Sequence, residues 1–203
     1  MLHAVFALLG SYVVGSIPTA YLVVKRLKRV DVRTVGSGNV GATNVTRVAG
    51  LGAGAVVFLI DVAKGLVAVL LLARWLAQPA GSSAQLACGL MAVVGHSFPI
   101  FLKFRGGKGV ATTIGVLLGA MPLVAGACIA VWAVSFLIWR YVSVASMAAA
   151  VTLPVAQQLT RQAPQDVLLG SALALLIVVR HRTNIQRLRQ GSEHRSGHRR
   201  VNQ

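Results

Sequence analysis

Uncharged runs of Leu, Val, Ala and Gly recur along this chain, at residues 50–60, 66–73, 84–94 and 167–179, separated by short polar segments. Joined to their neighbours, they reach the roughly 20 residues that a helix needs to cross a hydrocarbon core. A longer uncharged run covers residues 109–139. As one helix it would extend about 46 Å at 1.5 Å per residue, well beyond a core of about 30 Å. Two shorter spans turning near Met121 and Pro122 fit it better. The first run, residues 1–22, has no Lys or Arg before it and a basic cluster after it. It reads as a retained span and not as a signal peptide.

The pattern predicts an all-α integral membrane protein of about seven transmembrane helices. Composition agrees, with 56% apolar and 12% charged residues, the latter about half the usual charged share. The formal net charge of +16 would suit a nucleic-acid binder, but on a membrane protein basic residues more often mark orientation and contact with anionic lipid. Lys25, Arg26, Lys28, Arg29, Arg33 and Arg47 lie between the first and second spans, and Lys103, Arg105 and Lys108 follow the third. The connection at 78–83 has no basic residue.

These positions put the first and third connections in the cytoplasm and the N-terminus outside. Two spans within 109–139 then keep Arg140 and the Arg-rich end from Arg180 onward inside, with a cytoplasmic C-terminus. Residues 1–191 are expected to form a single polytopic membrane domain, and 192–203 a disordered basic tail. The expected partner of the charge is the lipid bilayer, with no nucleic acid. Cys88 and Cys128 lie in apolar runs and read as small hydrophobes, not metal ligands or a disulfide.

Chemistry is expected in the polar connections. Residues 36–47 read GSGNVGATNVTR: small residues whose amides could approach an anion, side-chain donors at Ser37, Asn39, Thr43 and Asn44, and a cation at Arg47. A helix starting near Thr43 would aim its N-terminus at the same place. Residues 95–112 place Arg105, Gly106, Gly107 and Gly109 around Lys108, a phosphate loop in composition. A nucleotide-binding Walker loop needs wider glycine spacing and a Ser or Thr after the lysine, so ATP hydrolysis is disfavoured.

His96, at the cytoplasmic end of the third span, could act as acid or base, bind phosphate or simply occupy the interface. Residues 181–193, HRTNIQRLRQGSE, carry His181, Asn184 and Arg187 at helical spacing, so one face can present all three. Arg182 and Arg189 read as solvated or lipid-facing charges. Ser143 and Ser146 follow Arg140 at the same side of the membrane, with helix packing as the plainer reading. Asp61 and Lys64, at i and i+3 within a span, are expected to neutralise each other.

Together these segments resemble the bacterial membrane glycerol-3-phosphate acyltransferases that use acyl phosphate, the PlsY family, over essentially the whole chain apart from the tail. The resemblance implies that the three segments form a cytoplasmic active site. It implies that Ser37 and Arg47 matter for activity, that the glycines around Lys108 help hold glycerol 3-phosphate, that His181 and Asn184 act in the site, and that Glu193 is structural. Val40 stands where many members have proline, and Arg105 replaces a common lysine.

The implied reaction moves a fatty acyl group from acyl phosphate to the 1-hydroxyl of glycerol 3-phosphate, giving lysophosphatidic acid and inorganic phosphate, the first step of phospholipid synthesis. It needs no cofactor and no metal, and belongs at the cytoplasmic face of the inner (plasma) membrane. The enzyme supplying acyl phosphate is a further expected partner. An acyl phosphate is a mixed anhydride with a good leaving group, so catalysis is chiefly positioning and oxyanion stabilisation.

The residues expected to do chemistry are His96, His181, Asn184, Ser37 and Ser143. Those expected to hold substrate and phosphate are Ser37, Gly38, Asn39, Asn44, Arg47, Arg105, Gly106, Gly107, Lys108, Gly109 and Arg187. Either histidine, or the departing phosphate itself, could take the hydroxyl proton. An organic-phosphate transporter is the first rival, but its cations would line a transmembrane path. A lipid-binding scaffold is the second, though it would not need glycines and asparagines beside its charges. Acyl-CoA is the second-choice donor, because neither His96 nor His181 opens a His-x-x-x-x-Asp motif.

Overall fold

The computed structural model describes residues 2–75 and 81–196. Every regular element among them is helical. The chain packs as two compact units, the first ending at Pro122 and the second beginning at Leu123.

The first unit contains α1 (Leu2–Ser16), α2 (Thr19–Lys28), α3 (Ala42–Ala49), α4 (Leu51–Leu70), α5 (Ser82–Ser97) and α6 (Val110–Ala120). The stretches Leu2–Lys28, Leu51–Trp75 and Ser82–Leu102 are long and apolar enough to cross a membrane. Its helices meet on glycine. Gly15 of α1 faces the main chain of Ala92 on α5, and Gly95 of α5 faces the Tyr12 carbonyl on α1. Gly65 of α4 and Gly115 of α6 likewise face the carbonyls of Thr112 and Val62. A β-carbon at any of the four would overlap backbone, so these contacts set the helix separations, the usual device where lipid removes the hydrophobic drive between helices.

The second unit contains α7 (Pro122–Trp139, apart from its first residue), α8 (Val142–Leu159), α9 (Pro164–Arg180) and α10 (Arg182–Arg189). Helices α7 and α8 pass the same length and apolarity test, and α9 with α10, bent by 51°, makes one further candidate span. Trp132 Nε1 donates to Ser146 Oγ at 3.2 Å, and Gln157 Nε2 donates to the Asp166 carbonyl at 3.0 Å, tying α7 to α8 and α8 to α9.

The long uncharged run divides where its length required. Helix α6 stops at Ala120, and α7 starts at Pro122, whose missing N–H costs nothing at a helix start. At 11 residues, α6 extends only about 16 Å, half a hydrocarbon core. Phe6, Leu59, Leu123, Leu137 and Leu159 are exposed on their helices, a surface that lipid solvates and water does not. Cys88 and Cys128 are buried free thiols, in the role expected of them. Residues 78–80 of the connection at 78–83 and residues 197–203 of the expected tail lie outside the described residues.

Candidate active site

In the first unit, the segment after α2 is organised by two side chains. Asp31 accepts the Arg33 amide at 2.9 Å and pairs with its guanidinium at 2.6 Å, while Arg33 also lies over the Tyr21 ring at 5.7 Å. The hydrogen bond from Arg33 holds the Asp31 carboxyl below its ordinary range, and the carboxylate in turn raises Arg33. That cation is neutralised within the loop.

Asn44 does more. Its Nδ2 donates to the carbonyls of Val32, Val35 and Asn39 at 3.2, 3.1 and 3.1 Å, and its Oδ1 accepts the Ser37 amide at 2.8 Å. At 1% exposure, it folds residues 32–39 around itself. Helix α3 then starts at Ala42, one residue ahead of the expected Thr43, and carries Arg47 exposed in its last turn.

The second segment is strapped to the end of α5. Lys103 and Phe104, both at positive φ, reverse the chain after the turn at Ile100–Leu102. The Gly106 and Gly107 amides then donate back to the carbonyls of Ser97 and His96, at 3.3 and 3.0 Å. A β-carbon at Gly107 would overlap His96 Nε2 and lie 2.6 Å from the Val40 carbonyl, so the loop passes between them as only glycine can. Val40, Val45, Val32 and Leu102 share one core cluster, which joins this segment to residues 36–47. Gly109, at φ 82°, makes the left-handed turn into α6.

Several groups expected at the site already have partners within the chain. The amides of Ser37, Gly38, Gly106 and Gly107 were expected to cradle phosphate, but each donates to a protein acceptor. Asn44 was expected to reach substrate, but both ends of its amide are committed to the loop. The reason is shared: a buried N–H or amide left unbonded is costly, and the nearest acceptors are the chain's own carbonyls. The side chains nearby that remain candidates for attracting phosphate are half-buried Lys108, exposed Arg47 and Arg105, and the partly exposed Ser37 and Asn39.

His96 is 9% exposed, with Nδ1 facing Asp61 Oδ1 at 3.7 Å. The same carboxylate takes Lys64 Nζ at 2.6 Å, the mutual neutralisation that their spacing implied. What spacing along α4 did not reveal is that this pair lies against His96 and the Val40 loop, in one pocket with Thr19, Pro99 and Leu102.

The second unit gathers the third segment around a residue outside the predicted site. Glu193 Oε1 accepts from Asn184 Nδ2 at 2.6 Å and from Ser143 Oγ at 2.9 Å, while Oε2 pairs with Arg187 Nε at 3.0 Å. Glu193 falls within the tail expected at 192–203, yet its side chain is only 7% exposed. A lone acid among basic residues was the signal for it. His181, buried, places Nδ1 at 2.8 Å from the Ile177 carbonyl. A carbonyl only accepts, so Nδ1 carries a proton, and in the neutral form of the ring Nε2 would be the accepting nitrogen. Ser146 donates to the Val142 carbonyl and receives Trp132, which is helix packing.

The family described as Glycerol-3-phosphate acyltransferase matches residues 5–191 of this chain. The chain belongs to that family.

As a member, it is 49% identical to a glycerol-3-phosphate acyltransferase of Gloeobacter violaceus over 190 residues, 93% of this chain and 92% of the relative. It is 43% identical to one from Geotalea daltonii over 193 residues, 95% and 97% of the two chains. Among solved structures, it resembles the glycerol 3-phosphate form of PlsY, an integral membrane glycerol 3-phosphate acyltransferase, with a TM-score of 0.88 and 40% identity over 96% of each chain. The lysophosphatidic acid form matches with a TM-score of 0.85 and 40% identity, over 96% of this chain and 95% of that one. This glycerol-3-phosphate acyltransferase is accordingly an all-helical integral membrane protein.

Proposed function

We propose that this acyltransferase takes its acyl group from acyl phosphate and joins it to the 1-hydroxyl of glycerol 3-phosphate, releasing lysophosphatidic acid and inorganic phosphate. The observation that carries this is the close packing of the Lys108 loop on the residue 36–47 loop, with Gly107 seated between His96 and the Val40 carbonyl. It sets two cation-bearing segments side by side on a scaffold whose Ser37, Gly38, Gly106 and Gly107 amides are already bonded to the chain. Such a cradle suits a substrate that brings phosphate with it.

In this proposal Lys108 and Arg47 neutralise phosphate, and Arg105, Ser37 and Asn39 orient it. Asn184, Ser143 and Arg187, gathered by Glu193, orient the reacting groups. The hydroxyl oxygen attacks the acyl carbon, the bond from that carbon to the phosphate oxygen breaks, and phosphate leaves with the bonding electrons. The hydroxyl proton passes to His181 Nε2 or to the departing phosphate. No acyl-enzyme is required, because the leaving group is already good. The basic connections support a cytoplasmic site at the inner membrane.

The experiment is to give purified protein palmitoyl phosphate and glycerol 3-phosphate, with palmitoyl-CoA in parallel and Lys108→Ala as control. Lysophosphatidic acid and equimolar inorganic phosphate are expected from palmitoyl phosphate alone and are lost in the control. Turnover with palmitoyl-CoA and none with palmitoyl phosphate would overturn the donor.

A further inference from the structure

We propose that the buried pair Asp61 and Lys64 positions the Lys108 loop for glycerol 3-phosphate, acting through His96; this rests on Lys108 binding phosphate. Neither residue belongs to the three polar segments. Lys64 Nζ donates to Asp61 Oδ1 at 2.6 Å and to the Ile17 carbonyl at 2.7 Å. Ile17 sits in the break between α1 and α2, where its carbonyl also takes the Thr19 amide at 2.9 Å. Lys64 therefore ties α4 to the hinge of the first span.

Asp61 extends the chain of contacts to α5, because the oxygen that holds Lys64 also faces His96 Nδ1 at 3.7 Å. The far edge of that ring, at Nε2, backs onto Gly107, and the carbonyl of His96 takes the Gly107 amide at 3.0 Å. Lys108 is the next residue. From the α1–α2 break to the loop lysine there is an unbroken series of contacts within the first unit.

A packing role alone does not require this pair. Lys64 is 4% exposed and Asp61 2%, and burying two charges costs several kcal/mol each unless pairing and hydrogen bonds offset it. Elsewhere in the unit, helices that need only to approach one another do so on glycine. What charge adds is direction. A carboxylate 3.7 Å from Nδ1 favours one rotation of the imidazole electrostatically, and the ring so oriented is the wall that Gly107 packs against. Asp61 and Lys64 are positioning residues, since neither needs to touch substrate.

The test is the double variant Asp61→Leu with Lys64→Met, which removes both charges without orphaning either. Glycerol 3-phosphate affinity is read by calorimetry, thermal unfolding in detergent reports folding, and KM is measured for both substrates. Expected are a retained cooperative transition, an affinity for glycerol 3-phosphate at least about tenfold weaker, within the roughly hundredfold that a 1 Å misplacement costs, and an unchanged KM for the acyl donor. Unchanged affinity in a folded double variant overturns the proposal. Should that variant not fold, Asp61→Asn decides it: it keeps an acceptor towards Lys64, and unchanged affinity there overturns the proposal equally. Lys108→Ala separates the two ideas, since weakening there but not in the double variant sinks the positioning role and leaves the phosphate assignment standing. Weakening in neither sinks both.

Discussion

The Glu193 carboxylate lies 2.6 Å from Asn184 Nδ2 and receives Ser143 through the same oxygen, so one acid fixes the direction of two polar side chains from different helices. Its second oxygen holds Arg187. Glu193→Gln keeps the size but replaces one oxygen with a donor that would oppose Asn184 or Arg187. Turnover is expected to fall on the order of a hundredfold, the scale of a small misplacement in a site. Membrane yield should change little. Steady-state kinetics on purified variant and wild type decide it, and near-normal turnover would remove Glu193 from any role in holding the site.

Asn44 makes a sharper prediction because its two ends are different. Asn44→Ala leaves the Ser37 amide and the loop carbonyls without their partner, at about 1–3 kcal/mol for a buried orphaned group. Asn44→Asp is expected to be worse, since a carboxylate cannot donate to the carbonyls of Val32, Val35 and Asn39 and would face all three. Thermal unfolding should rank wild type, then Ala, then Asp. The reverse order of the variants would mean that the amide does not hold the loop.

At Gly107 a single methyl is enough to displace the loop. Gly107→Ala drives a β-carbon into His96 Nε2 and the Val40 carbonyl, an overpacking that costs about 1–3 kcal/mol. KM for glycerol 3-phosphate should rise. Gly52→Ala, where an added β-carbon meets nothing within 4 Å, serves as the control and should stay within about 0.5 kcal/mol of wild type. Equal behaviour of the two variants in kinetics would contradict the close passage of the loop.

The Asp31 and Arg33 pair has a defined pH sign. Asp31 is held below its ordinary 3.8, chiefly by the Arg33 side-chain hydrogen bond. Its contribution to stability is therefore complete above that ordinary value and is lost as pH falls through the lower, folded one. The pair is partly solvated, so the effect is small. Asp31→Asn should lower the unfolding temperature slightly at neutral pH, and the gap between variant and wild type should close only in strong acid. A gap that closes already near pH 6 would assign the effect to another group.

Much of this molecule was legible before any coordinates, because membrane helices write themselves into sequence as uncharged runs of the right length. The division of residues 109–139 at Met121 followed from comparing helix rise with core thickness. The meeting of Asp61 with Lys64 followed from helical spacing, and the burial of Cys88 and Cys128 as small apolar side chains from their surroundings. Lys108, His181 and Asn184 stood out as candidates because polar groups clustered at the ends of spans are otherwise hard to explain.

Hydrogen-bond direction was not legible. A glycine-rich segment announces close approach, but not whether its amides turn towards a ligand or back onto the chain. Gly106 and Gly107 turn back, to the carbonyls of Ser97 and His96 left open where α5 ends. Composition likewise placed Glu193 in a polar tail, since the loss of apolar residues there is real. Only the fold shows three partners waiting for its carboxylate.

The sequence by itself determined the solvent of this protein, its helical class and the segments that carry its charge, because length, hydropathy and spacing are properties of the chain taken in order. Tertiary structure alone decided which polar groups consume one another, as with Asn44 in its loop, and which are brought together from afar, as with Lys64 at the Ile17 carbonyl. Those pairings depend on directions and distances between residues remote in order, and a buried polar group accepts whichever partner the packing places within reach.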